Sequence, residues 1–193
     1  SAFARSFRDA PPPVFAATGP AAIKQSERLW WFDIVHNVFY RVGMFEAFDE
    51  FFEEVFARFE QPESWRLFPE TVDVLKTLKG QGFELGIISN FDSRLFSVLR
   101  GLGIADLFDT VTISSLAHAA KPSARIFHQA LEKHAVDPDE ALHVGDSERD
   151  DVKGAQGVGL TGVLLARGEG ARPSGGTTIG NLNELLPLLS RLQ

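Results

Sequence analysis

The chain has 193 residues, of which 44% are hydrophobic and 23% are charged, and this composition is typical of a globular protein and excludes a disordered or collagen-like chain. Its 19 basic and 26 acidic residues give a net charge of −7, and no apolar run is long enough to span a membrane, so we expect neither nucleic acid nor a membrane as a partner. The absence of cysteine excludes disulfides and thiol catalysis and fits a cytoplasmic location.

The first 66 residues show a helical pattern. Apolar residues recur at helical spacing over 23–42 and again over 45–59, and no alternating strand pattern interrupts them. The prolines at 11–13 mark a loop between a short helix at the start of the chain and the long helix that follows Pro20. We therefore predict a helical subdomain over 1–66, with the Phe-rich stripe from Phe39 to Phe59 in its core.

From residue 67 onward, short apolar runs alternate with helical patterns, as in a parallel sheet with crossover helices. We predict a Rossmann-like α/β core over 67–193, with a Gly-rich surface loop over 168–180 and a last helix over 182–192. The predicted strands are 83–88, 111–114, 142–145 and 161–165, and the predicted crossover helices are 94–102, 124–134 and 150–158.

The first three predicted strands each lead into polar residues, at the edge where open parallel sheets bind their ligands. Ser89 and Asn90 follow the first strand, Lys121 lies in the loop after the second, and Asp146 follows the third, with Asp151 farther along. A hydroxyl group can bond phosphoryl oxygens, an ammonium group can neutralise them, and carboxylates can hold Mg²⁺. The pattern predicts a phosphate site beside a divalent cation.

Three stretches that contain these residues resemble motifs II, III and IV of the haloacid dehalogenase superfamily, and they occur in the same order. The stretches are LGIISN (85–90), KPSARIF (121–127) and HVGDSERDDVKGA (143–155). The helical segment 1–66 is similar to the α-helical C1-type cap of that superfamily. The resemblance implies a Rossmann-like core that carries a cap subdomain.

The resemblance also implies a role for each polar residue. Ser89 would bond the transferring phosphoryl group, Asn90 would line the same pocket, and Lys121 would neutralise the charge of the phosphoryl group and of the nucleophile. Asp146 would ligate Mg²⁺ directly. Asp151 would support the metal site through water or by orienting Lys121.

The nucleophile of the superfamily has no counterpart in this sequence. It is an aspartate at the end of the first strand, and a second aspartate two residues later acts as general acid and base. The only Asp-x-Asp, Asp137-Pro138-Asp139, precedes the strand at 142 and indicates a turn. We therefore expect about twenty to forty residues with the first strand to precede Ser1. The resemblance places that strand between the strands ending at Ile88 and Gly145, and without it two apolar edges would be exposed. We therefore expect this chain to be inactive and unstable alone.

The residues and the resemblance together predict a Mg²⁺-dependent phosphomonoester hydrolase that acts on a small phosphorylated metabolite through an aspartyl-phosphate. A 2-haloacid dehalogenase, which needs no metal, is an alternative that the carboxylates of Asp146 and Asp151 disfavour. A catalytically inactive binding protein of the same fold is a second alternative, disfavoured because Ser89 and Lys121 are retained as well. The five histidines, His143 among them, lack metal-ligand spacing, and we assign them structural roles.

Overall fold

The computed structural model describes residues 5–6, 10–168 and 176–191. The described part of the helical segment contains α1 (Pro20–Val42) and α2 (Phe48–Arg58). Helix α1 begins with a proline in its first turn, where the missing N–H costs nothing, and ends before Gly43. The two helices predicted for 23–42 and 45–59 are confirmed. The predicted short helix at the start of the chain lies mainly outside the described residues.

Aromatic rings hold these two helices together. The ring of Phe32 on α1 meets the rings of Phe48 and Phe52 on α2 edge to face, with centroids 5.6 and 5.0 Å apart. Both α2 phenylalanines are buried. The predicted aromatic core is confirmed for Phe48 and Phe52, whose contacts have the edge-to-face geometry that aromatic pairs favour. It is wrong for Phe45 and Phe59, which are 42% and 48% exposed.

The remainder of the chain alternates strands and helices and confirms the α/β fold. Its elements are α3 (Thr71–Gly80), β1 (Gly86–Ser89), α4 (Leu95–Gly101), β2 (Thr110–Ile113), α5 (Ser114–Ala117), α6 (Ala124–His134), β3 (Leu142–Gly145), a π-helical turn (Glu148–Lys153) continuing into α7 (Gly154–Gln156), β4 (Thr161–Leu165), β5 (Thr177–Ile179) and α8 (Leu185–Leu189). Short 3₁₀ turns lie at Pro62–Ser64, Ala105–Leu107, Pro138–Glu140 and Leu182–Glu184.

The described strands form two parallel sheets. Strand β1 pairs with β2, with Ile87 opposite Val111, and the second sheet has the order β3-β4-β5, with Val144 opposite Val163. Among the described residues, no backbone ladder joins β1 to β3. Each of these two strands therefore has one edge without a strand partner, and the carboxyl ends of both carry predicted site residues.

Several predicted elements differ from those observed. Strand β1 starts at Gly86 rather than 83, because the backbone of Leu85 bonds Asp109 and that of Phe83 bonds Leu78. The segment 168–180, predicted as a loop, contains β5, which pairs with β4; residues 169–175 of that segment lie outside the described residues.

Three helices also differ from the prediction. Helix α3 was not predicted, although its buried Val74 and Leu78 have helical spacing. The helix predicted over 150–158 is a π-helical turn followed by the short α7, because the Ser147 side chain accepts the Asp150 N–H and starts the turn earlier. The last predicted helix, 182–192, begins as a 3₁₀ turn and ends at Leu189.

Two apolar clusters form the core of the part of the chain that the structure describes. The first is centred on Ile126 and Phe127 of α6 and includes Ala155 of α7, with Ile88 of β1 packed against it. The second joins α3, the β3-β4-β5 sheet and α8, and its buried members are Val74, Leu78, Val163, Ile179, Leu185 and Leu189. Because the first cluster contacts β1 and the segment after β3, it holds the two sheets in one body.

No helix in the described part of the chain has the length and apolar character needed to cross a bilayer.

Replacing Phe127 should test the first cluster. The Phe127 ring is fully buried and meets the His143 ring edge to face at 5.3 Å, so Phe127→Ala should lower the free energy of unfolding by about 3–5 kcal/mol. The exposed neighbour His128 is the matched control, and His128→Ala should change the free energy of unfolding by less than about 0.5 kcal/mol. Equal midpoints in urea for the two variants would contradict this account of the core.

Candidate active site

The carboxyl end of β1 is fixed to the loop that carries Lys121. Asn90, directly after β1, accepts a hydrogen bond from the Lys121 backbone N–H through Oδ1 (2.7 Å) and donates one to the Lys121 carbonyl through Nδ2 (3.0 Å). This two-bond clamp sets the backbone of Lys121 beside the end of β1. It also places Ser89, the last residue of β1, one residue away from the clamp.

The side chain of Lys121 reaches from this clamp to Asp151, on the segment that follows β3. Lys121 Nζ donates to Asp151 Oδ1 at 2.6 Å, and the two side chains are only 13% and 5% exposed. An ammonium group has three donors, and Asp151 takes one of them. The ion pair therefore holds a positive charge at a defined place between the ends of β1 and β3.

Asp151 is held by two further donors. Its Oδ1 accepts from His143 Nε2 at 2.9 Å, and its Oδ2 accepts from the Ser147 backbone N–H at 2.9 Å. A buried carboxylate is stable as an ion only when its oxygens are satisfied in this way. Asp151 is thus fixed from three directions, by a strand residue, a turn amide and Lys121.

These partners decide the protonation state of Asp151. Burial by itself would raise the pKa of this carboxyl group, but the hydrogen bond from His143, the charge and hydrogen bond of Lys121 and the Ser147 amide outweigh burial. Together they hold the pKa of Asp151 well below its ordinary value. Asp151 is therefore ionised at neutral pH, and its pair with Lys121 is a true ion pair.

The local sequence explains how a residue so far along the chain returns to the end of β3. The Ser147 side chain accepts the Asp150 N–H, and its carbonyl accepts the N–H groups of Asp151 and Val152, which tightens the turn. At Gly145, the last residue of β3, a Cβ would lie only 2.1 Å from Asp151 Cγ. Glycine is required there because the Asp151 side chain occupies the space of any larger residue.

Asp146, which follows Gly145, is exposed at this end of the sheet. Both oxygens of Asp151 accept hydrogen bonds, and in the described ranges no three His, Cys, Asp or Glu side chains come together as a metal cage. Mg²⁺ commonly takes one or two carboxylates and completes its shell with water and phosphate oxygens. Asp146 fits the part of one such ligand, and Asp151 fits the part of orienting Lys121.

Sequence reasoning assigned His143 only a structural role, yet the structure places it on Asp151. Side chains alternate along a strand, so His143 and Gly145 lie on the same face of β3. Asp151 occupies the space beside Gly145 on this face of β3, and His143 contacts Asp151 from the same face. This two-residue spacing is the signal that could have identified His143.

Comparison with known proteins shows similarity over most of the chain. The haloacid dehalogenase-like hydrolase family matches residues 1–159. The chain is 34% identical over 172 residues to "Haloacid dehalogenase-like hydrolase domain-containing protein 3" of Bos taurus, covering 85% of this chain and 68% of that protein. It is 36% identical over 101 residues to "Glyceraldehyde 3-phosphate phosphatase" of Methanothermobacter thermautotrophicus, covering 52% of this chain and 45% of that protein.

A solved structure supports the same relationship. The HAD phosphatase from Thermococcus onnurineus superposes with a TM-score of 0.65 and 31% sequence identity, over 79% of this chain and 68% of that one. The matches to the five vertebrate proteins named haloacid dehalogenase-like hydrolase domain-containing protein 3 span 57% to 68% of their length. The chain thus corresponds to somewhat over half of those proteins.

The low pKa of Asp151 should make the free energy of unfolding depend on pH in acidic solution. Because the folded-state pKa lies below the unfolded-chain value near 3.8, the stabilisation is fully present above that value and is lost as the pH falls through the folded-state pKa. Below about pH 4, wild-type protein should lose up to about 1.4 kcal/mol of unfolding free energy per pH unit more than Asp151→Asn. Urea titrations at pH 7, 4 and 3 measure this. Parallel pH profiles for the two proteins would show that Asp151 is not held as described.

Proposed function

The chain belongs to the haloacid dehalogenase-like hydrolases, and from this premise we propose that it forms the phosphate- and magnesium-binding part of a phosphomonoester hydrolase. One observation carries the proposal. The ammonium group of Lys121 is held by Asp151 between the carboxyl ends of β1 and β3. These strand ends also carry Ser89 and Asp146.

In the proposed reaction, each side chain acts on the phosphoryl group by its own chemistry. The Ser89 hydroxyl donates to a phosphoryl oxygen, and Lys121 neutralises the charge that develops on the oxygens. Asp151 keeps the ammonium group in place. Asp146 would hold Mg²⁺, which when bound lowers the cost of bringing an anionic phosphate to an aspartate nucleophile.

The proposed route passes through an aspartyl-phosphate. An aspartate oxygen attacks phosphorus and the bond to the leaving alkoxide breaks; water then hydrolyses the acyl phosphate to release inorganic phosphate. Among the 193 residues, no Asp-x-Asp directly follows an apolar strand. The activity experiments therefore use the full-length product of the gene that encodes this chain.

We propose a small phosphorylated metabolite as the substrate. The name of the archaeal relative, glyceraldehyde 3-phosphate phosphatase, supports a short phosphorylated carbon compound. The net charge of −7 supports a small molecule rather than nucleic acid. The absence of cysteine is compatible with activity in the reducing cytoplasm.

Two other functions fit the same fold. A 2-haloacid dehalogenase would use the serine and lysine without a metal, and an inactive binding protein would keep the pocket without turnover. Asp146 favours the phosphatase, because a carboxylate at the end of β3 serves a metal and has no use in a metal-free dehalogenation. Mg²⁺-dependent phosphate release identifies the phosphatase, and halide release without a metal identifies the dehalogenase. The inactive binding protein would release neither.

Removing the proposed metal ligand should remove Mg²⁺-dependent activity. Asp146→Ala should lower the rate of phosphate release in saturating Mg²⁺ by at least about a hundredfold, since the charge on the phosphoryl oxygens is then no longer shielded by the ion. Asp150→Ala is the matched control, a nearby carboxylate outside the proposed site, and it should retain Mg²⁺ stimulation. The metal assignment is wrong if Asp146→Ala responds to Mg²⁺ as wild type does.

Removing the ammonium group should slow the reaction itself. We expect Lys121→Ala to lower kcat by about 10²- to 10³-fold, the size found when one electrostatic contact to a transition state is lost. Lys153→Ala, which removes a lysine whose side chain is 67% exposed, should leave kcat within about twofold, a change of under ~0.5 kcal/mol. Steady-state kinetics on both variants test this, and equal kcat values for Lys121→Ala and wild type would remove Lys121 from the site.

A further inference from the structure

Loop 89–94, which begins at the last residue of β1, is attached to helices α1 and α2 by buried polar contacts. Three charged side chains at this junction are almost fully buried: Glu27 of α1 is 2% exposed, Asp92 of the loop 1% and Arg94 of the loop 7%. The same loop begins with Ser89 and Asn90, the residues proposed to bind phosphate. Buried charges beside a proposed binding loop call for an explanation, because each must be fully paired to be tolerated.

Asp92 is the centre of the junction. Its Oδ1 accepts from the backbone N–H of Arg94 (3.0 Å) and from Arg94 Nε (2.9 Å), and its Oδ2 accepts from Arg94 Nη2 (2.5 Å). The indole N–H of Trp31, on α1, donates to the same Oδ2 at 2.5 Å. The loop therefore closes on itself through an ion pair that α1 contacts directly.

Glu27 makes the second connection from α1. Its Oε1 accepts the Ser93 backbone N–H at 2.9 Å, and its Oε2 accepts the Ser93 hydroxyl at 2.6 Å. Glu27 and Trp31 are four residues apart, so they lie one above the other on one face of the helix. One face of α1 thus bonds two consecutive loop residues, Asp92 and Ser93.

Helix α2 makes the third connection. Arg94 Nη1 donates to the Phe56 carbonyl at 2.8 Å, and the guanidinium lies 3.7 Å from the centroid of the Phe56 ring. This contact combines a hydrogen bond to a carbonyl with a cation–π interaction. Both helices therefore hold the loop through its own buried ion pair.

Stability alone does not explain this arrangement. A buried ion pair contributes little or nothing compared with well-packed apolar residues of the same volume, whereas hydrogen-bonded charges fix one geometry. Resting on the proposed function, we propose that Glu27 and Trp31 are positioning residues: they hold loop 89–94 in the conformation in which Ser89 and Asn90 accept a phosphoryl group.

The proposal has a reciprocal consequence. If contacts from α1 favour the phosphate-binding conformation of the loop, phosphate binding must strengthen those contacts by the same factor. Phosphate should therefore slow the hydrogen exchange of the Trp31 indole N–H and of the Ser93 and Arg94 amides. A purely structural junction, with no link to the ligand, would show no such response.

Adjacent tryptophans provide a matched pair of variants. Trp31→Phe keeps a six-membered aromatic ring and removes the pyrrole ring of the indole, with the N–H that donates to Asp92. Trp30→Phe makes the same chemical change at a residue whose N–H donates to the Pro11 carbonyl at 2.8 Å. In the full-length protein with Mg²⁺, Trp31→Phe should weaken the affinity for inorganic phosphate about tenfold, the effect of losing one hydrogen bond to a charged group.

Trp31→Phe should also speed exchange of the Ser93 and Arg94 amides, while Trp30→Phe should change neither the phosphate affinity nor the exchange. The proposal is overturned if Trp31→Phe, like the control Trp30→Phe, matches wild type in loop exchange and phosphate affinity. Glu27→Gln, which removes one of the two acceptors for Ser93, is the second variant. We expect it to show the same faster exchange and weaker phosphate affinity, and it replaces Trp31→Phe as the test if the Trp31→Phe protein does not fold.

The failure of this proposal can be distinguished from failure of the proposed function. If wild-type protein binds no phosphate, the proposed function fails, and the amide exchange of loop 89–94 still decides whether α1 holds the loop. Normal phosphate affinity in wild type with unchanged loop exchange in Trp31→Phe and Glu27→Gln overturns the positioning role alone.

Discussion

The arrangement of this protein depends on one buried ion pair, Lys121 with Asp151. The described strands form two separate sheets, and this pair spans the gap between them: the backbone of Lys121 is clamped by Asn90 at the end of β1, while Asp151 lies beside the end of β3. Such a pair repays the cost of desolvation only when every oxygen of the carboxylate has a donor. His143 and the Ser147 amide meet that condition, so the pair that links the ends of β1 and β3 also fixes a cation there.

The same constraint explains features around the site that have no direct contact with a ligand. Gly145 must lack a side chain because Asp151 fills its place, and the π-helical turn over Glu148–Lys153 returns Asp151 to the strand it follows. On the other side of the site, the loop after β1 is held by Asp92, Arg94 and the helices α1 and α2. The polar residues of the site are thus supported from both sheets and from the helical segment, which is what an electrostatic site needs to act without rearranging.

Much of this could be predicted from the sequence, and the omissions have a physical cause. Strands over 142–145 and 161–165 and the helix over 124–134 were predicted with their observed bounds, because each is a strong local pattern between clear breaks. The start of β1 and the presence of β5 depend on partners far along the chain, Asp109 and β4. Likewise, the motif resemblance identified Ser89, Lys121, Asp146 and Asp151 as candidates. Trp31 and Glu27 are ordinary residues for a helix, and only their tertiary contacts with Asp92 and Ser93 show a role.

The central claim is that the ends of β1 and β3 form one phosphate site around the ammonium group that Asp151 holds. A crystal structure of the full-length protein grown with Mg²⁺ and inorganic phosphate tests it most directly. The account predicts phosphate within hydrogen-bond distance of Ser89 Oγ and Lys121 Nζ, with Asp146 on the ion and Asp151 still bonded to Lys121. Phosphate bound elsewhere, or Lys121 turned away from Asp151 in the liganded protein, would contradict it.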